Sequence, residues 1–286
     1  MIINKRKVKK ITSYILSAVF AVCIVALVLA ICVYSSIFDR NKLGDSLVES
    51  KYYLNIYKIV HENCSNYLLQ SGFDENLFDN VITEESVKSD INDIINDIYE
   101  NRKVEISTET LEQKLDQNIQ KQIEEKEYTV DDEAQASIDE FKKTILETYE
   151  NNILYSQKAV DQVSKYFRKA EKASKMLIIA AAMATSILAF IIFKLRKPAI
   201  GIGILAAGVL LVVAKVYSGV RVAINNILVI NWAFSSTVSY ILNKLVQNIF
   251  VVGVVLIVVG LLWIVIFEHR KSKKIFKYKN SNEKQK

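Results

Sequence analysis

The sequence is poor in the residues that interrupt or crosslink a chain. Of its 286 residues, one is proline, eight are glycine, three are cysteine and two are histidine. The scarcity of proline and glycine predicts long helices, because these two residues are the least favourable in a helix interior. Cys23 and Cys32 lie within one apolar run, which leaves Cys64 without a disulfide partner. Packing alone must therefore hold the polar part of the chain together.

Acidic residues are nearly absent outside residues 39–175, so the charges are sorted along the chain. Residues 39–175 contain 18 basic and 29 acidic residues, a net charge of −11. The rest of the chain contains 19 basic and only two acidic residues, a net charge of +17. Such sorting is typical of a membrane protein whose lysines and arginines flank apolar spans on the cytoplasmic side. The basic balance therefore indicates orientation, and no nucleic-acid recognition motif accompanies it.

Four apolar runs predict four membrane spans. The runs without a charged residue are 11–38, 176–193, 199–214 and 249–267. A helix needs about 20 residues to cross the hydrocarbon core, so the third run is long enough only if Lys215 extends its side chain to the interface. No other ionisable residue interrupts the runs, which argues against an ion-coupled transporter.

The basic clusters orient these spans consistently. "NKRKVKK" precedes the first span, "KLRK" separates the second from the third, and "HRKSKK" follows the fourth. With four spans, all three clusters fall on one side, which the positive-inside rule makes cytoplasmic. We therefore expect a multi-pass cell-membrane protein with cytoplasmic termini and with residues 39–175 outside the cytoplasm. Pro198 starts the third span, where its missing N–H is tolerated.

The fold class that follows is all-α: a four-span helical membrane protein with an extracytoplasmic antiparallel helical bundle inserted between spans 1 and 2. The predicted segments are a basic N-terminus 1–10, transmembrane helix 1 at 11–38, an acidic helical domain 39–175, transmembrane helix 2 at 176–195, a turn 196–198, transmembrane helix 3 at 199–218, an amphipathic segment 219–247, transmembrane helix 4 at 248–267 and a basic tail 268–286.

The acidic domain has helical periodicity almost throughout. Apolar residues recur every three or four positions, as in Val87, Ile91 and Ile94 behind a predicted N-cap at Thr83. No proline or glycine interrupts the last such stretch, which predicts one long, coiled-coil-like helix over residues 133–195. The Lys/Ile/Asn-rich composition is typical of a bacterial protein.

Small residues within the spans predict close helix packing. Small residues on one helix face let two backbones approach in a membrane. The candidate packing residues are Ala180, Ala184, Gly203, Ala207, Gly253 and Gly260. The preferred interpretation is that these residues pack helices of the same chain against each other. The alternative is that they form a helix face that binds a partner.

The segment 219–247 is too apolar for a loop and too polar for a span. Its candidate interaction or coupling residues are Ile227, Ile230, Trp232, Phe234, Ile241 and Leu245. Two interpretations remain open: a helix in the headgroup layer anchored by Trp232, or a helix packed against the base of the acidic domain that closes the outer face of the four spans. A membrane-proximal helix that contacts both is preferred. A structural lid is the preferred role, and a coupling element is the functional alternative.

The residues needed for catalysis or metal binding do not form a recognisable set. His61 and Cys64 lie one helical turn apart, but a zinc site needs three or four ligands. No P-loop, Gly-x-Ser-x-Gly or His-Glu-x-x-His motif is present. We therefore expect no catalytic residue, no metal and no cofactor.

The leading functional hypothesis is a non-enzymatic membrane protein whose outer domain makes protein–protein contacts. It would serve as a subunit or accessory factor of a cell-envelope or transport assembly. Its partners would be the lipid bilayer and a membrane or envelope protein, but not nucleic acid, and a homo-oligomer is left open. The alternatives are a receptor-like sensor that signals through helix 133–195, and a membrane enzyme or small-solute channel.

Overall fold

The computed structural model describes residues 5–154, 157–216 and 232–283. Within these ranges the regular secondary structure is entirely helical, which confirms the all-α fold. The helices are α1 (Lys5–Ile37), α2 (Arg40–Glu49), α3 (Tyr52–Ser65), α4 (Leu68–Ser71), α5 (Glu84–Glu100), α6 (Glu109–Glu125), α7 (Asp132–Leu154), α8 (Gln157–Leu195), α9 (Lys197–Val216) and α10 (Trp232–Glu283), with a 3₁₀ turn at Glu75–Phe78.

Four of these helices are long and apolar enough to cross a membrane. The candidate spans are Lys7–Ile37 in α1, Val160–Leu195 in α8, Lys197–Lys215 in α9 and Trp232–His269 in α10. The predicted number of spans is therefore confirmed, and the protein is a multi-pass integral membrane protein. The described chain divides into two compact units. The membrane unit lies within 1–43, 171–229 and 238–286, and the bundle unit lies within 44–170 and 230–237.

Helix α9 is the most buried helix of the membrane unit. In its most apolar window 39% of the residues are buried, against 11–22% in the other three spans. One face of α9 packs on α1, where Ala207 lies in a buried cluster with Phe20, Ala21 and Ile24. A β-carbon at Gly203 would lie 2.6 Å from the Phe20 ring, so only glycine permits this approach.

A polar contact reinforces the packing of α1 on α9. The hydroxyl oxygen of Ser17 lies 2.7 Å from the carbonyl oxygens of both Ser13 and Ala199. Ser13 and Ser17 are 0% and 3% exposed. Their hydroxyls therefore find acceptors inside the protein, as buried polar groups in a membrane must.

Glycines bring α9 and α10 into backbone contact. A β-carbon at Gly208 would lie 2.6 Å from the carbonyl oxygen of Gly253, and one at Gly260 would lie 2.9 Å from that of Gly201. Each helix thus presents two glycines seven residues apart to the other. In a bilayer, where apolar burial between helices gains little, such close packing is a main source of helix association.

The bundle unit has an apolar core crossed by a few polar links. Val60, Cys64, Val87, Leu115 and Ile145 are fully buried. The hydroxyl of buried Tyr149 donates to Asp90 across 2.5 Å, joining α7 to α5. Burial raises the pKa of the Asp90 carboxyl, and the hydrogen bond from Tyr149 partly offsets this rise.

The predicted helix start at Thr83 is confirmed, and its cap is reciprocal. The Thr83 hydroxyl accepts a hydrogen bond from the backbone N–H of Ser86, and the Ser86 hydroxyl accepts one from the N–H of Thr83. Two of the free N–H groups at this helix end are thereby satisfied.

Two predicted boundaries differ from the structure. Residues 232–247 do not form a separate element but begin α10, which continues through the predicted span 248–267 and into the basic tail. The first glycine after Trp232 is Gly253 and no proline follows, so nothing in the sequence ends the helix earlier. The predicted helix 133–195 corresponds to α7 and α8, and residues 155–156 between them lie outside the described residues.

We predict that Gly208→Ala lowers the thermal unfolding midpoint of the full chain in detergent. Its β-carbon would overlap backbone atoms of α10, and overpacking of this kind costs about 1–3 kcal/mol. Gly44→Ala is the matched control, because no heavy atom lies within 4 Å of its β-carbon. Alanine should raise the midpoint there, since it favours a helix interior over glycine. An unchanged or higher midpoint for Gly208→Ala would contradict the close α9–α10 packing.

Candidate functional site

Among the described residues of the bundle unit, nine large apolar side chains are exposed, and four of them lie where α3 and α6 end and α7 begins. These four are Tyr67, Leu69, Tyr128 and Val130, and Leu69 is 89% exposed. The other five lie elsewhere in the sequence: Val48, Val163, Tyr166, Trp232 and Phe234. Phe73 and Phe141 lie beside the first four, with ring centres 5.5 Å apart. We call those four residues and these two phenylalanines the apolar patch. Clusters of this kind on an otherwise polar surface mark interaction sites.

Most of the apolar patch lines an open groove of about 540 Å³. The groove is bounded by the aromatic rings of Tyr67, Phe73, Tyr128 and Phe141 and by hydroxyl groups that include Ser71 and Thr144. Leu69 lies on α4 and lines a neighbouring groove with Tyr57 and His61. The surface therefore offers apolar area with a few hydrogen-bonding groups, which is the composition of a binding site.

Side chains of α6 hold the loop that forms one wall of the groove. The amide of Gln122, which is 4% exposed, accepts a hydrogen bond from the N–H of Asp74 at 2.9 Å and donates one to Asn76 at 2.6 Å. Asn118 donates to the carbonyl oxygens of Leu77 and Asp79 at 2.8 and 3.0 Å. The loop after α4 is thus fixed by buried and half-buried amides.

Gly72 turns the chain at the start of this loop. Its φ of +78° lies in the left-handed region, which glycine adopts without strain. The Lys126 ammonium lies 2.8 Å from the Asp74 carboxylate and 5.6 Å from the centre of the Tyr128 ring. Lys126 therefore links the loop to the ring that borders the groove.

The surroundings of the apolar patch are acidic. The carboxylates in or beside its loops are Asp74, Glu75, Glu127, Asp131, Asp132, Glu133 and Glu140. Basic residues are fewer there: Lys126 is paired with Asp74, Lys58 lines the groove that contains Leu69, and Lys142 and Lys143 follow Phe141. A ligand or partner of this surface should therefore combine apolar groups with positive charge.

The pair His61 and Cys64 does not form a reactive site. Cys64 is fully buried, and burial raises the pKa of its thiol to about 12. The thiolate is the nucleophile and metal ligand, so this cysteine is inert at neutral pH. Nδ1 of His61 lies 3.4 Å from the hydroxyl of Ser65. Over the described ranges, no three His, Cys, Asp or Glu side chains come together as metal ligands.

The structure brings together four of the six predicted packing residues. Gly203 and Ala207 contact α1, and Gly253 and Gly260 contact α9. Ala184 is half-buried, whereas Ala180 is exposed and takes no part in this packing. Gly208 was missed, although it lies seven residues after Gly201 on the same face, a spacing that could have revealed it.

The predicted interaction segment lies only partly within the described residues. Ile227 and Ile230 lie outside them, and Ile241 and Leu245 are half-buried on α10. At the start of α10, Trp232 and Phe234 are 55% and 43% exposed. The buried side chains there are Ala233 and Thr237, one helical turn apart.

The start of α10 belongs to the bundle unit. The Thr237 and Ser50 hydroxyls form a hydrogen bond of 3.0 Å, and residues 230–237 group with the bundle rather than with the membrane unit. This favours the docked interpretation for residues 232–237, whereas residues 238–247 group with the membrane unit. Small side chains at the contact allow the helix to approach closely, which explains why alanine and threonine are buried instead of the larger apolar residues.

Comparison with protein families finds one match. Residues 180–280 match the model of a family described as "SAVED-fused 2TM effector domain". The match covers about a third of the chain and comprises the end of α8, all of α9 and most of α10. No curated protein matches the chain, and no solved structure matches it. The similarity therefore concerns membrane helices, and the apolar patch lies outside it.

We predict that Gln122→Leu loosens the groove wall. Leucine would leave the N–H of Asp74 without its partner, and an unsatisfied buried group costs about 1–3 kcal/mol. Backbone amides of residues 72–79 should then exchange hydrogen faster in the full chain, measured by mass spectrometry. Gln120→Leu on the exposed face of α6 is the control and should leave the exchange unchanged. Equal exchange in both variants would show that Gln122 does not hold this loop.

Proposed function

We propose that this chain is a non-enzymatic membrane effector whose bundle unit binds a protein partner through the apolar patch. The position of the family match carries the proposal. The segment similar to an effector domain is 180–280, which consists of membrane helices, whereas the apolar patch lies between residues 67 and 141. The segment that resembles an effector domain and the surface proposed to bind the partner are thus separate in the sequence. The membrane unit exerts the effect, and the bundle unit responds to the partner.

The chemistry of the apolar patch supports a protein as the partner. Leu69 and Tyr128 expose apolar area that water does not stabilise, and aromatic anchors of this kind dominate protein interfaces. The acidic residues around them select for a partner with basic residues and steer its approach. An apolar segment flanked by lysine or arginine has both properties.

The charge distribution supports an orientation for the protein. The basic residues flank the spans, and the bundle lies in the acidic part of the chain. By the positive-inside rule, both termini and the α8–α9 turn are cytoplasmic and the bundle is outside. The partner is then an extracytoplasmic or membrane-anchored protein, and the chain acts as one component of an envelope assembly. A second copy of the chain is one such partner.

The surroundings of Cys64 and His61 support a role without catalysis. Cys64 is protonated and buried, and His61 faces a serine hydroxyl on the same helix. A nucleophile needs an adjacent base or a lowered pKa, and neither residue provides this arrangement. The effect is therefore one of binding and of helix arrangement in the bilayer.

A small-molecule sensor is the second candidate function. The groove volume of about 540 Å³ lies in the range of small-ligand sites, and four aromatic rings border it. A ligand would be apolar with a cationic group, given the carboxylate of Glu140 in the lining. Thermal-shift screening of the full chain in detergent against such compounds tests this candidate, which requires at least one reproducible stabilising hit.

We predict that Leu69→Asp abolishes the partner contact. Affinity purification of the full chain in mild detergent, after reversible crosslinking in the producing cells, should recover a stoichiometric partner. Leu69 is 89% exposed, so the substitution leaves the fold intact while placing a charge on the contact surface. Loss of an apolar anchor from an interface costs about 2 kcal/mol or more, so partner recovery should fall at least about 30-fold.

Gln113→Asp is the matched control. It adds the same charge to an exposed position on α6 without removing an apolar side chain. Recovery of the partner should equal that of the unchanged chain. A partner that is retained by Leu69→Asp, or one that is lost equally in both variants, would contradict the apolar patch as the contact surface.

A further inference from the structure

The turn between α8 and α9 holds three cations, Lys194, Arg196 and Lys197. None of the three takes part in the ion pairs seen between described side chains, which join residues between 39 and 175. Glu268, the one acidic residue of the sequence between 176 and 282, is exposed. The three neighbouring positive charges are therefore available to an anion from outside the chain.

Aromatic rings fix the position of these cations. Nη1 of Arg196 donates to the hydroxyl of Tyr14 at 2.8 Å, and its guanidinium carbon lies 5.1 Å from the centre of that ring. The Lys197 ammonium lies 4.5 Å from the Phe193 ring centre and 6.0 Å from that of Phe267. Such cation–π contacts hold the charged groups beside apolar rings. Arg196 uses one of its five N–H donors in this contact and keeps the others for a ligand.

Helix α10 also contacts the α8–α9 turn. The indole N–H of Trp263 donates to the backbone carbonyl of Lys197 at 3.0 Å, and its ring lies 5.0 Å from that of Phe267. Tyrosine and tryptophan are enriched at the level of the lipid headgroups. The cations of the turn are thus held at the boundary between hydrocarbon and water, where lipid phosphates lie.

We propose that Arg196 and Lys197 bind the phosphate of an anionic glycerophospholipid, with Tyr14 and Phe193 against the lipid beneath its headgroup. Guanidinium groups bind phosphate through two parallel hydrogen bonds, and a nearby ammonium adds attraction. The exposed Lys7, on the N-terminal turns of α1, adds positive charge to the same unit. The site selects acidic over zwitterionic lipid, and it is independent of the partner proposed for the bundle.

The test compares lipid retention by the purified full chain in native mass spectrometry. The protein is exposed to mixed micelles that contain equal amounts of phosphatidylglycerol and phosphatidylcholine. Phosphatidylglycerol should remain bound preferentially. Arg196→Gln/Lys197→Gln should weaken its retention about 30-fold, from roughly 1 kcal/mol for each basic residue near an anionic surface. Equal retention of both lipids by the unchanged chain would overturn the proposal.

Lys215→Gln/Lys244→Gln is the control, because it removes two charges from the same unit away from the α8–α9 turn. Both lysines also lie beside rings, Lys215 at 4.1 Å from Phe250 and Lys244 at 5.7 Å from Tyr240. Retention should be unchanged, and an equal loss in both double variants would overturn the site. Displacement of the lipid by excess inorganic phosphate would reveal a free-phosphate site instead and would also overturn it.

A variant that keeps all charges tests the same site if Arg196→Gln/Lys197→Gln does not insert into membranes. Tyr14→Phe removes the hydrogen bond that positions Arg196 and leaves all charges in place. The loss of one hydrogen bond should weaken retention of phosphatidylglycerol about fivefold. Retention unchanged in Tyr14→Phe would show that the Arg196–Tyr14 pair does not form the site.

Discussion

The membrane unit depends on how closely α9 approaches its neighbours. Lipid tails are as apolar as leucine, so helices in a bilayer associate through backbone proximity and internal hydrogen bonds. Helix α9 uses Gly203 to meet α1 and Gly201 and Gly208 to meet α10. Its two packed faces leave α9 less surface for lipid than the other spans have, which explains why α9 has the largest buried share of the four spans. The same packing brings Tyr14 of α1 and Trp263 of α10 to the α8–α9 turn, and the cations of that turn depend on both rings.

The bundle unit has an apolar core, in which Tyr149 and Asp90 pair. Its sequence is strongly acidic, and some of its exposed large apolar side chains lie together in the apolar patch. Amides of Gln122 and Asn118 keep the loop there in a fixed shape. A rigid apolar surface within an acidic one favours association with a basic partner over non-specific aggregation. The similarity of residues 180–280 to an effector domain places the proposed effect in the membrane helices.

Much of the fold could be predicted from the sequence, since charge and periodicity are local signals. Four apolar runs predicted four membrane helices, and Thr83 predicted a helix start that the structure confirms. The contact partners could not be predicted in the same way. Ala180 and Gly203 look equally suited to packing, but only tertiary contacts show that Gly203 meets Phe20 while Ala180 is exposed. The apolar patch was missed because Phe73 and Tyr128 come from loops, where no periodicity marks them.

In the proposed orientation, the bundle lies outside the cytoplasm and the α8–α9 turn lies in the cytoplasm. The most direct measurement is the labelling of single introduced cysteines by a membrane-impermeant maleimide in intact cells. Gln120→Cys reports the bundle and Lys194→Cys reports the turn, since both positions are exposed. The unchanged chain serves as background, because Cys64 is fully buried and Cys23 and Cys32 lie within α1. The account predicts that Gln120→Cys is labelled in intact cells and Lys194→Cys only after lysis. The reverse pattern, or labelling of both in intact cells, would contradict it.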